Sequence, residues 1–187
     1  YHVFINANIK TNFAIYTSLS HFEPIESPPL THLSFSAYSV HSKENYDFFI
    51  DKYPELKNKV QILQNSAPIA FFNQFNKKKS FENQTLKNIA LISNHPPSEV
   101  LSLIPLLEKN NITIDLFGLT GKTQLIDANI IASYDAVITI GKSVQYCLAS
   151  GIPVFCYDHF GGPGWINIQN FDLAREYNFS GRCCRTQ

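Results

Sequence analysis

The 187 residues suit one ordinary domain, or one domain with part of another. Fifteen Lys and Arg balance fifteen Asp and Glu, so the chain lacks the broad basic field of a nucleic-acid binder, and 44% hydrophobic residues suffice for a core. No apolar stretch reaches the roughly eighteen residues of a membrane-spanning helix, and no signal-peptide pattern opens the chain.

Residues 1 to 65 read as a partial α/β domain. An apolar start (HVFIN) leads into a short helical or irregular piece, then into a loop broken by Pro24, Pro28 and Pro29. Glu23 and Glu26 flank Pro24, where two exposed carboxylates are the simplest reading and a paired acid–base site the sharper one. The run HLSFSAYSV predicts a strand. Ser42 is placed to cap a helix over residues 43–53, in which Tyr46, Phe49 and Ile50 share a face. Val60 to Leu63 predicts another strand. The polar passage that follows, with Lys77, Lys78 and Lys79 among Asn, Gln and Ser, reads as a solvated linker over residues 66–86.

From Lys87 the pattern becomes regular, and residues 87–187 predict a Rossmann-like domain. Asn88 to Ser93 is a strand, Asn94-His95-Pro96-Pro97 a turn, and Ser98 to Lys109 a helix that Pro105 should kink or stop. Ile112 to Phe117 is the next strand, closed by Gly118. Asp135 to Ile140 is an apolar run of the length a buried parallel strand needs. Gly141-Lys142-Ser143 then turns into a helix that ends at Gly151, a C-terminal cap position. Ile152 to Tyr157 is a strand, with a loop from Asp158 to Gly164 at its carboxyl end. Strands alternating with helices at this spacing predict a parallel sheet with crossover connections.

Ligands of open α/β sheets bind at the carboxyl ends of the strands. The Gly141-Lys142-Ser143 turn offers backbone N–H groups at a helix start, a hydroxyl and an ammonium, which suits a diphosphate; a serine-capped turn is the plainer alternative. It lacks the spacing of a P-loop. Asp158, His159, Gly161 and Gly162 form the second candidate group, a ligand loop or a structural turn. His95 lies near the same edge. The four cysteines, Cys147, Cys156, Cys183 and Cys184, make no CxxC pair, so neither a zinc site nor a disulfide framework is indicated; Cys147 and Cys156, in apolar helix and strand contexts, read as free buried thiols, which fits a reducing cytoplasm. Three sequons, at Asn83, Asn111 and Asn178, read as chance matches among seventeen asparagines. A chain that opens on Tyr and holds no Met reads as a fragment of a longer protein.

The stretch YCLASGIPV resembles the E-A-x-A-x-G-x-P-V signature of GT-B glycosyltransferases, in the half that binds the nucleotide-sugar donor. SVHSKENYDFFIDKYPELKNKVQILQNSAPIAFF is similar to their interdomain region, and CYDHFGGPGWI with NFSGR resembles a bacterial branch associated with surface polysaccharide. Together these matches cover about residues 35 to 182. The resemblance implies a donor-binding domain preceded by part of the acceptor half. It implies metal-independent transfer from a nucleotide sugar, UDP-linked, to a glycan or lipid-linked acceptor. It also implies a cytoplasmic location at the inner face of the membrane, with peripheral association, no nucleic-acid partner and no further cofactor. The signature glutamate that holds the donor ribose falls at Tyr146, whose phenol can donate one hydrogen bond. The Gly-Arg and Lys pair of many relatives falls near Asn94 and His95. Gly141, Lys142, Ser143, Tyr146, Asp158, His159, Gly161, Gly162, Asn94 and His95 are therefore the expected donor contacts. No residue stands out as the catalytic base. A non-catalytic nucleotide-sugar-binding or assembly module, and a nucleotide-sugar epimerase of the same two-domain plan, are the alternatives.

Overall fold

A computed structural model describes residues 13–21, 35–75, 85–119 and 121–185. The apolar start, the proline loop with Glu23 and Glu26, the lysine run and Asn83 lie outside the described residues. The chain divides into two compact units, Tyr1–Gln64 and Asn65–Gln187.

The first unit carries three parallel strands in the order β1 (Ile15–Ser18), β2 (Ala37–Val40) and β3 (Val60–Ile62). Residues 15–18 were expected to be helical or irregular. Ile15, Tyr16 and Thr17 are β-branched or aromatic, and pairing with Ala37–Val40 decides for a strand. Between β2 and β3 runs α1 (Lys43–Lys52), followed by a 3₁₀ turn at Pro54–Leu56. Ser42 caps α1 by accepting the Asn45 N–H at 3.1 Å, and the buried Asn45 amide reaches back to the Ser18 carbonyl at 3.2 Å. Phe35, Tyr38, Val40, Phe49 and Val60 form the core of this unit.

The second unit opens with α2 (Ile69–Phe75), inside the stretch read as linker. Its Phe71 is almost fully buried in the core of this unit, so tertiary packing overrides the polar surroundings. Then follow β4 (Asn88–Ile92), α3 (Ser98–Ser102), α4 (Ile104–Lys109), β5 (Thr113–Phe117), α5 (Ala128–Ala132) and β6 (Ala136–Thr139). The chain continues through α6 (Lys142–Ala149), β7 (Val154–Asp158), β8 (Gly161–Trp165), α7 (Phe171–Glu176) and a 3₁₀ turn at Gly181–Cys184. The expected helix over 98–109 is broken at Leu103, with Pro105 taken into the first turn of α4, where its missing N–H leaves no bond unmade. Helix α5 had no place in the sequence reading. Asp127 starts it, one carboxylate oxygen accepting the N–H groups of Asn129 and Ile130 at 2.9 Å each.

The sheet has the order β5-β4-β6-β7-β8, parallel except for the antiparallel β7–β8 pair. This correction matters for the site: residues 161–165, expected as loop, form the edge strand. The architecture is α/β with two sheets dominated by parallel pairing. Val137, Val144, Cys147, Ile152, Val154 and Cys156 are all but inaccessible between sheet and helices. At roughly 1.5–3 kcal/mol for each large apolar side chain buried, such residues fix which way every strand faces.

Candidate functional site

Neighbouring strands β4 and β6 send the chain in opposite directions. The connection after β4 leads to β5 on one side, and the connection after β6 leads to β7 on the other. Such a switch point leaves a crevice at the carboxyl ends of the two strands. Thr139, at the end of β6, donates from Oγ1 to the Ile92 carbonyl at the end of β4 (2.8 Å) and so ties the crevice floor together. Above it lies a cavity of about 410 Å³. Leu91, Ile92, Phe117, Ile126 and Ile140 give it apolar walls; Asn94, His95, Ser143, Tyr157, Asp158 and His159 give it polar ones. Five of the ten expected donor contacts therefore meet here: Asn94, His95, Ser143, Asp158 and His159.

The turn after β6 holds Gly141 at φ 62°, ψ −133°, a conformation that disfavours any side chain. A Cβ there would nevertheless touch nothing within 4 Å, so the turn faces open space. The Gly141 N–H is already given to the Phe179 carbonyl at 2.8 Å, and its carbonyl accepts the Val144 N–H. That leaves the Lys142 and Ser143 amides at the start of α6 and the Ser143 hydroxyl as donors, because the first N–H groups of a helix have no partner one turn back. Lys142 and Tyr146 do not line the cavity. The Tyr146 ring stacks on Phe71 of α2 with centroids 4.1 Å apart, and Lys142 Nζ lies 5.7 Å from the Tyr146 centroid. One turn apart, these two residues share the helix face that meets α2.

After β7 the arrangement is closed. Asp158 is buried, and each carboxylate oxygen accepts a backbone N–H: Oδ1 from Phe160 at 2.8 Å, Oδ2 from Gly181 at 2.9 Å. The carboxylate thus clamps the β7–β8 turn to the 3₁₀ turn at Gly181–Cys184. A Cβ on Gly162 would meet the Cys156 carbonyl oxygen at 2.1 Å, so glycine is required there by the approach of two backbones. Gly161 and Gly162 are absent from the cavity wall, and Gly161 lines a second cavity instead.

This second cavity, of about 370 Å³, shares Tyr157 and His159 with the first and adds Glu99, Phe160 and Arg185. The Tyr157 hydroxyl donates to Glu99 Oε1 at 3.1 Å, and the Arg185 guanidinium stacks on the Phe160 ring at 4.3 Å. A bond from its own backbone holds the Glu99 carboxyl below the usual range, helped by Tyr157, Ser98 and the charge of His159. The Glu99 bond in turn pushes the Tyr157 phenol up. Sequence reasoning missed Glu99, Tyr157 and Arg185. Tyr157 carried a usable signal, as it lies one residue before the carboxyl end of a strand at the ligand edge. Glu99 and Arg185 carried none, since only folding brings them to it.

Among the described residues, no group of three or more His, Cys, Asp or Glu side chains is placed to hold a metal ion, and no helix is long and apolar enough to cross a membrane. Comparison with known proteins gave no matching family model, no significantly similar curated protein and no significantly similar solved structure.

Proposed function

We propose that the second unit binds the nucleotide-sugar donor of a metal-independent glycosyltransferase of the GT-B plan, UDP-linked, for transfer to a glycan or lipid-linked acceptor. One observation carries this reading: the cavity at the switch point gathers Asn94, His95, Ser143, Asp158 and His159 between apolar walls. The start of α6 and the Ser143 hydroxyl meet the diphosphate, where oriented N–H groups stabilise an anion without a metal. Asn94 and the two imidazoles supply further hydrogen bonds, and the apolar walls take the base. Lys142, paired with Tyr146 on the other face, stays outside the contact set.

A specific observation favours a second reading, a binding module without turnover. Among the described residues, Asp158 is the one carboxylate that lines the cavity, and each of its oxygens accepts a backbone N–H group. It thereby serves as a clamp, and taking a proton from an acceptor would compete with the two backbone bonds it already accepts. The same fact tells against an epimerase, which needs paired carboxylates near the sugar.

Calorimetric titration with UDP, GDP and CMP tests the donor site. Saturable binding of UDP is expected, weakened about tenfold by Ser143→Ala, the loss of one hydrogen bond to a charged group, and little changed by Lys142→Ala. No binding of any nucleotide overturns the reading. Binding of the UDP-sugar with no hydrolysis or transfer selects the second reading over the first.

A further inference from the structure

Outside the cleft, the molecule places two thiols side by side. Cys183 and Cys184 are both free and partly exposed, and their Sγ atoms lie 3.3 Å apart in hydrogen-bond contact. The 3₁₀ turn that carries them is fixed at its start, where the Gly181 N–H binds Asp158, and packs against β8. Its other end is Arg185, whose guanidinium stacks on Phe160 in the second cavity. The two remaining thiols of the chain, Cys147 and Cys156, are fully buried. Adjacent cysteines both aimed the same way are uncommon, because neighbouring side chains in extended backbone point apart. Here the tight turn brings them together.

We infer that Cys183 and Cys184 form a modification site, a vicinal dithiol that closes to a Cys183–Cys184 disulfide by exchange with a low-molecular-weight disulfide. One cysteine of the pair loses its thiol proton and its sulfur attacks one sulfur of glutathione disulfide, releasing a glutathione thiolate. The other cysteine then loses its proton and attacks that sulfur, displacing the second glutathione thiolate. The two released thiolates take up the two protons. Two electrons pass from the cysteine pair to the glutathione disulfide, which is reduced to two glutathiones. Burial first, and the neighbouring Cys184 next, push the Cys183 thiol up to about 12. Consecutive Cα atoms stand about 3.8 Å apart across a trans peptide, below the usual disulfide span of about 4.4–6.8 Å. The ring therefore distorts the peptide it bridges and is readily reduced again, as strained disulfides are. Closing it alters the backbone that leads into Arg185, and with it the wall of the second cavity.

The full chain, reduced and then treated with glutathione disulfide under native conditions, tests this by intact mass and by mapping. Glu-specific cleavage after Glu176 puts both cysteines into the fragment that begins at Tyr177, free of Cys147 and Cys156. A fall in mass equal to two hydrogen atoms, confined to that fragment and reversed by thiol reductant, is the expected result. Cys183→Ser and Cys184→Ser should each end instead with one stable glutathione adduct on the remaining cysteine. Glutathione retained on the wild-type pair, no reaction at either cysteine, or a cross-link to Cys156 overturns the inference. The wild-type result needs no variant to fold, and it is independent of whether any nucleotide binds.

Discussion

Two glycine-bearing turns stand side by side at the carboxyl edge of the second sheet, and they differ in kind. The turn at Gly141 is open: its glycine is demanded by a positive φ, and no atom lies near the missing side chain. The turn that leads to Gly162 is closed: its glycine is demanded by a carbonyl 2.1 Å from where a Cβ would be, and each oxygen of the aspartate before it accepts a backbone N–H group. In sequence both looked like places where a ligand could approach a bare backbone. Only the open one leaves that approach free. The closed one spends its glycine and its carboxylate on holding the edge strand.

The strongest way to break this contrast is Gly162→Ala. An added methyl must displace the Cys156 backbone rather than a flexible side chain, so a loss of about 3 kcal/mol or more in denaturant-melt stability is expected. A stability within experimental error of wild type would show that the β7–β8 pair is loose and the turn is not closed. Asp158→Ala comes next. It leaves the buried Gly181 N–H without its acceptor, and bonds to a charged group contribute about 2 kcal/mol each. The expected signature is a loss of that order, together with faster amide exchange at Phe160 and Gly181. An unchanged stability with lost nucleotide binding would instead make Asp158 a ligand residue. Gly141→Ala should cost less than Gly162→Ala, about 2 kcal/mol, because it meets the strain of an unfavourable φ and ψ but no clash.

The α/β plan was legible in the sequence, whereas of the ten expected contacts the structure brings five to one cavity. Apolar runs such as Ala136–Thr139 and the serine cap at Ser42 are local signals, and the structure follows them. Helix α2 was hidden because its identity as a helix rests on burying Phe71 in a core made by distant residues. The same partner, Phe71, draws Tyr146 and with it Lys142 to the α2 face, so two of the expected contacts left the cavity for a reason no local pattern encodes. A glycine cluster likewise says that a backbone needs room, but not whether a ligand or another strand will fill it. Gly141 and Gly162 gave the same signal and have opposite surroundings.

The finest test of the contrast concerns the bond that ties the closed turn to helix α3, from the Tyr157 hydroxyl to Glu99. It exists only while the carboxyl is ionised and the phenol is not, so its contribution has two limits. The Glu99 carboxyl titrates below its ordinary value in the folded chain, so the bond stabilises above the unfolded value and fades as pH falls through the folded one. The Tyr157 phenol titrates above its ordinary value, so the stabilisation is complete below that value and is lost as pH rises through the folded one. Tyr157→Phe removes the bond at every pH. In a carbon-detected titration of the side-chain carboxyls, the Glu99 midpoint should then rise, yet stay below its ordinary value, because the larger bond from its own backbone survives. Glu99 is exposed and Tyr157 only partly buried, and their bond lies at the surface, so the change in stability is the smallest of the four. A Glu99 midpoint that does not move would mean that the bond is absent in solution, and that the end of β7 is as free at its tyrosine as the end of β6 is at Gly141.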